Sequence, residues 1–145
     1  MFSRIIPRYR ELKWLAYHDS LTGLKNRNWL HQNMDAIKCA YVYFIDLNQL
    51  HEINKLGHTA GDRHICSVIQ GIKPLADVAM VRYAGDEFIV FSNQDALLVT
   101  NRLYAVGQGI MCGNLLNAIN AADRAMMAEK AKPICLLAYP RTIAS

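Results

Sequence analysis

"VRYAGDEFIVF", residues 81–91, sets two carboxylates, Asp86 and Glu87, side by side behind a single glycine and between apolar runs. The flanks "VAMVRY" (78–83) and "EFIVF" (87–91) are rich in β-branched and aromatic residues and leave only "AGD" between them, which predicts a tight β-hairpin. Charge brought close to a core needs a partner, usually a metal ion or a cation. Two readings stand side by side: an exposed turn whose acids are solvated, or a turn whose acids hold a cation.

Upstream, "CAYVYFIDL" (39–47) reads as a buried central strand ending at Asp46. If it lies beside the hairpin, Asp46, Asp86 and Glu87 come within a few ångströms. Three such acids form a hard oxygen site for Mg²⁺ that keeps room for phosphate oxygens. Gly85 removes a side chain where a ligand would approach the backbone. Around these strands the spacing predicts a helix over 9–18, broken by "DSLTGLKNR" (19–27), and a second over 28–37 with Trp29, Leu30 and Met34 inward. A polar helix through "LHEINKL" leads into a loop "GHTAGD" (57–62), and a helix over 63–73 stops at Pro74. A clipped helix over 93–101, a strand over 103–111, a helix over 114–132 and a final strand over 133–139 complete an α+β order. The first eight residues read as a loose tail, so the expectation is a tail (1–8) and a single domain (9–145).

The composition agrees with one globular domain. The chain has 145 residues, 52% hydrophobic and 19% charged, enough to bury a core and unlike a disordered chain. Its apolar runs are shorter than the roughly 20 residues of a membrane span, and no secretory signal pattern opens it. Cys39, Cys66, Cys112 and Cys135 lack paired spacing, which predicts buried thiols and a cytoplasmic location. The net charge of +4 suits an anionic ligand without calling for DNA. The five histidines show no zinc-ligand spacing, and the methionines 111, 126 and 127 read as packing residues. Arg4, Arg8, Arg10 and Lys13 suit an acidic surface, a solvated helix entry or a short dimerising stalk. The initial Met and the appearance of both ends favour a complete small protein.

Four stretches, taken together, resemble the GGDEF domain family, the diguanylate cyclases. They are "HDSLTGLKNR", "FIDLNQLHEIN…GHTAGD", "RYAGDEF" and "AADRAMMAEK", in the family's order between His18 and Lys130, and the resemblance extends over about residues 10 to 139. The resemblance implies a ferredoxin-like, nucleotidyl-cyclase-like palm: a mainly antiparallel sheet of about five strands flanked by helices. It implies Asp46, Asp86 and Glu87 as catalytic acids. The same three acids, with the Leu47 carbonyl, become ligands for Mg²⁺ (or Mn²⁺). Asn54 and Asp62 match the pair that reads guanine, and Lys130 a lysine that contacts phosphates. Arg82 matches an arginine that is either structural or near phosphate, while Asp19 and Arg27 match structural positions.

The sequence also departs from the family. Ala84 replaces the first glycine of the signature, and Asn48 the second acid of a D-x-D pattern. His51 stands where a phosphate-binding lysine is usual, and "NKLGH" is one residue short. The usual arginine after the last-helix lysine is absent. "KPLADVAM" holds Asp77 but no arginine, so the family's product-inhibition site is expected to be missing. Three functions follow. The first is a diguanylate cyclase joining two GTP across a homodimer into cyclic di-GMP, with release of pyrophosphate. The second is a GTP-binding module of weak or no turnover that acts through a protein partner, and the third a related nucleotidyl cyclase of altered base choice. A sensory input is not visible, so a separate regulatory protein is one expected partner.

Overall fold

The computed structural model describes residues 2–132. Helix α1 spans Phe2–Tyr17, followed by strand β1 (Lys25–Asn26), helix α2 (Arg27–Asn33) and strand β2 (Tyr41–Leu47). Helices α3 (Leu50–Asn54) and α4 (His58–Ile72) and a 3-10 turn (Lys73–Leu75) lead to the hairpin strands β3 (Ala79–Arg82) and β4 (Glu87–Ser92). Strand β5 (Tyr104–Ile110) and helix α5 (Leu115–Ala131) follow. The five strands form one sheet in the order β1-β3-β4-β2-β5, antiparallel except for the β1–β3 pair. The mainly antiparallel α+β palm expected from the sequence is therefore present.

Side chains alternate across the sheet, so each strand feeds two cores. Tyr43, Ile45, Phe88 and Val90 pack with Ile65 and Ile69 of α4 on one face. Val42, Phe44, Ile89 and Phe91 pack with Ala118, Ala122 and Met126 of α5 and Leu30 of α2 on the other. Asp46 follows the parity of Val42 and Phe44, and Glu87 that of Ile89 and Phe91, so both acids project on the α5 face. Helix α5 lies unusually close to β5. A Cβ on Gly107 would fall 2.1 Å from the Ala122 oxygen, and one on Gly109 would fall 2.1 Å from the Ala118 oxygen. Only glycine leaves space there.

Several boundaries differ from expectation. Residues 2–8, expected as a loose tail, continue α1, with Pro7 inside the helix. Helix α2 ends at Asn33 rather than 37, where the Asn33 carbonyl accepts from Ala36 and Ile37 in a closing turn. Strand β1, only two residues long, falls within the segment read as a break. "GHTAGD" is not a loop beyond Gly57: that glycine, at φ 114°, lets the chain turn directly into α4.

The helix expected over 93–101 is absent. Its backbone groups are taken by other partners: Asn93 N–H donates to the Asp77 carboxylate, and Gln94 N–H to Ser92 Oγ. The buried Tyr43 hydroxyl donates to the Gln94 carbonyl and accepts from Leu97 N–H. These bonds satisfy the chain outside a helix and clamp the crossover to the sheet. The strand expected over 133–139 lies outside the described residues.

Candidate active site

The β2–β4 register places Asp46 directly opposite Glu87, and Leu47 N–H donates to the Asp86 carbonyl at 2.9 Å. The last residues of a central strand and the first of a hairpin strand thus bring three acids to one end of the sheet. Like charges facing each other across a ladder repel. Lys130 of α5 offsets part of this, its ammonium 2.8 Å from Asp46 Oδ2, with the Asp46 side chain 6% exposed. Asp46 Oδ1 is buried with no hydrogen-bond partner among the described residues. A buried carboxylate oxygen left unpartnered is costly and points to a missing donor or cation.

The electrostatics follow this geometry. Burial pushes the Asp46 carboxyl above its ordinary value; the Lys130 hydrogen bond opposes the shift and the Asp86 charge adds to it. Burial also raises Glu87, helped by the charges of Asp46, Asp86 and Asp123 and opposed by Lys130. Asp123 was not singled out from the sequence. Its signal was legible nonetheless, since it lies seven residues before Lys130 and so on the same face of α5.

The hairpin turn is braced from behind. Arg82 donates through Nε and Nη2 to the Gly85 carbonyl at 3.2 and 2.8 Å. Its Nη1 reaches both Asp19 carboxylate oxygens at 3.0 and 3.1 Å. Asp19 also accepts from the Thr22 amide and hydroxyl. Burial raises its carboxyl, but the bonds from Thr22 and Arg82 outweigh this and hold it below its ordinary value. Arg27 donates to the Tyr83 hydroxyl and stacks over its ring at 4.2 Å. Arg82 thus ties the hairpin turn to Asp19, and Arg27 braces Tyr83 beside it.

Gly85 has an unstrained backbone, and a Cβ built on it meets no protein atom within 4 Å. Neither packing nor φ demands glycine there. Asn54 and Asp62 lie on adjoining helices. The Asn54 carboxamide rests on Gly61, where a Cβ would collide with Asn54 Oδ1, so Gly61 keeps that side chain beside the first turns of α4. Both Asn54 and Asp62 are exposed, as is His51 on α3.

Asp46, Glu87 and Asp86 in the turn before it supply hard oxygen donors of the kind Mg²⁺ or Mn²⁺ takes, and the Asp46 oxygen without a partner among the described residues fits such an ion. Among the described residues no three His, Cys, Asp or Glu side chains are grouped closely enough to hold a metal by themselves. A backbone carbonyl, as expected of Leu47, would have to complete the set.

Comparison with known proteins matches residues 16–106 to the family described as diguanylate cyclase, GGDEF domain. Diguanylate cyclase TpbB of Pseudomonas aeruginosa is 36% identical over 119 residues, covering 71% of this chain and 27% of that protein. Cyclic di-GMP phosphodiesterase NbdA of the same species is 33% identical over 119 residues, covering 71% of this chain and 15% of that protein. This chain thus spans a minor part of either relative's length. Among solved structures, the coiled coil and GGDEF domain of DgcB from Caulobacter crescentus, in complex with c-di-GMP, superposes with a TM-score of 0.73. That match covers 89% of this chain and 88% of the other at 18% identity, a likeness of fold. The family match ends before α5, so the roles of Asp123 and Lys130 rest on geometry.

Proposed function

Since this chain belongs to the GGDEF domain family, we propose that it is a diguanylate cyclase that condenses two GTP into cyclic di-GMP, with release of pyrophosphate. The observation that carries this reading is the pairing of Asp46 with Glu87 across the β2–β4 register, with Asp86 adjoining and one Asp46 oxygen buried without a partner among the described residues. An exposed turn with solvated acids has no need of that arrangement.

Asp46, Asp86 and the Leu47 carbonyl would hold Mg²⁺ (or Mn²⁺), with Glu87 beside them. When bound, the ion supplies charge stabilisation at the transferring phosphoryl group. Gly85 leaves the turn backbone open to the triphosphate, and Lys130 lies close enough to the acids to meet a phosphate oxygen. Glu87, raised above its ordinary value by burial and the neighbouring acids, would accept the proton of an attacking 3′-hydroxyl. Asn54 Oδ1 and the Asp62 carboxylate accept from guanine N1–H and N2–H. Each chain holds one GTP, so two chains face each other, and each 3′-oxygen attacks the other nucleotide's α-phosphate as pyrophosphate leaves.

Product inhibition is absent in this reading. Leu75 stands where an arginine would grip the product. The Asp77 carboxylate is drawn below its ordinary value by hydrogen bonds from Ser92 and the Asn93 amide, which commits it to the end of β4.

A second reading, a GTP-binding module of little turnover that acts through a protein partner, is favoured by the bare crossover over 93–103 and by the exposed His51 in place of a lysine. One experiment separates the two. Purified protein is incubated with GTP and Mg²⁺ and the products are resolved by mass. Cyclic di-GMP from the parent, reduced about 10²–10⁴-fold in Glu87→Ala, is the expected result. GTP binding without product would leave the second reading.

A further inference from the structure

The far edge of the sheet carries a feature that the cyclase reading does not use. Between the C-terminal half of α1 and the start of β1 and α2 lies a cleft of about 300 Å³, lined by Arg10, Lys13, Trp14, His18, Lys25 and Trp29 among others. No carboxylate of the described residues lines it. Among the described residues Lys25 Nζ meets an imidazole nitrogen, His18 Nε2 at 3.3 Å, and the Trp29 ring at 5.3 Å. The His18 ring is fixed by its Nδ1 on the Trp14 carbonyl at 2.9 Å and stacks on the Trp14 ring at 4.7 Å, the two planes within 2°. Arg10 and Lys13 are exposed and form no ion pair with any described residue. The nearest acids in sequence do not offset them: Glu11 does not line the cleft, and Asp19 is occupied by Arg82 and Thr22.

Three basic side chains around one concavity, with no carboxylate of the described residues among its lining, attract a negatively charged group. Rings held flat beside them offer stacking surfaces, and lysine and arginine with aromatic faces are the pairing that binds a phosphate and a base together. The volume is at the small end for a ligand pocket and fits one small molecule. From these observations we infer that the cleft is a second ligand site, for a nucleoside monophosphate or a compound of that class, with the base on the tryptophans and the phosphate on Arg10, Lys13 and Lys25. It is distinct from the acidic site: β1 stands two strand positions from β4, which begins at Glu87, and three from β2, which carries Asp46, roughly 10 and 14 Å.

The chain has only two tryptophans, and both line this cleft, so its intrinsic fluorescence reports the site directly. GMP is titrated with EDTA present while tryptophan emission is followed. The expected result is saturable quenching, weakened at least tenfold for guanosine and for Arg10→Ala/Lys13→Ala, since each lost bond to a charged group is worth about a factor of ten or more. Inorganic phosphate should compete, and Asp86→Ala should titrate like the parent. Both substituted residues are exposed on α1; far-UV circular dichroism checks the fold, and Lys13→Ala alone serves as the milder variant. Absence of saturable quenching, equal affinity for guanosine and GMP, or unchanged affinity in both variants would overturn the inference. So would a blue shift with phosphatidylserine vesicles where GMP has no effect, because the patch would then be a membrane-facing surface.

Discussion

Replacing Gly107 with alanine adds one methyl group to β5, and the structure states what that methyl meets. Its nearest neighbours would be the Ala122 oxygen and the Met126 nitrogen, both at 2.1 Å. Ordinary contact begins at 3.4 Å, so α5 has to retreat by about 1.3 Å. Both opposing atoms are helix backbone and cannot rotate aside as a side chain would. The cost should therefore lie at the upper end for an overpacked core, about 3 kcal/mol. For a domain of this size that corresponds to a fall in Tm of about 10 °C. The same substitution at Gly71 is the control. It lies within α4 with no heavy atom inside 4 Å, so alanine there should stabilise by about 0.5–1 kcal/mol. Differential scanning calorimetry without divalent ions gives both numbers. A Gly107→Ala variant that melts with the parent would refute the close docking of α5, and with it the placement of Lys130 beside Asp46.

Glu87→Gln should change how stability depends on pH. Because Asp46 and Glu87 are held above their ordinary values, the native state keeps protons that the unfolded state has already released; stability from these groups is greatest below the carboxylate range and falls as pH rises through their raised values. The variant should therefore gain roughly 0.5–1 kcal/mol over the parent at neutral pH and nothing in acid, measured by urea unfolding across pH; a pH-independent difference would speak against the facing pair. Arg82→Lys should lose about 2 kcal/mol in the same assay, because an ammonium cannot reach both the Gly85 carbonyl and the Asp19 carboxylate as the planar fork does. If Asp62 reads the base, the parent should prefer GTP to ATP on the order of 10²-fold, and Asp62→Ala should lose that preference in parallel titrations.

Much of this was legible in the sequence because it depended on periodicity and on motifs. The apolar runs of β2, β3 and β4 predicted their own pairing, and the parity of Asp46 and Glu87 in those runs already put both acids on one face. What escaped depended on contacts between distant segments. The helix expected over 93–101 gives way to the buried Tyr43 hydroxyl, some fifty residues away, which captures its backbone groups. The glycines of β5 looked incidental until α5 was seen against them. Helix α1 runs through Pro7, its sixth residue, and gives up the bond that an N–H there would make to the Ser3 carbonyl; a proline read as the end of a tail does not by itself stop a helix.

The Lys130–Asp46 ion pair has a thermodynamic consequence. One ammonium is within reach of the acids, and it can serve a carboxylate or an incoming anion, but not both fully. Whenever Lys130 turns to an anion, Asp46 loses its counter-charge and its affinity for a cation rises. Whenever a cation satisfies Asp46, the lysine is released and its affinity for an anion rises. Binding of the two opposite charges is thus cooperative through a single side chain, and linkage makes the coupling equal in both directions. A ligand that brings both charges at once, as a metal-complexed polyphosphate does, gains the whole of that coupling, whereas either ion alone must first break the pair.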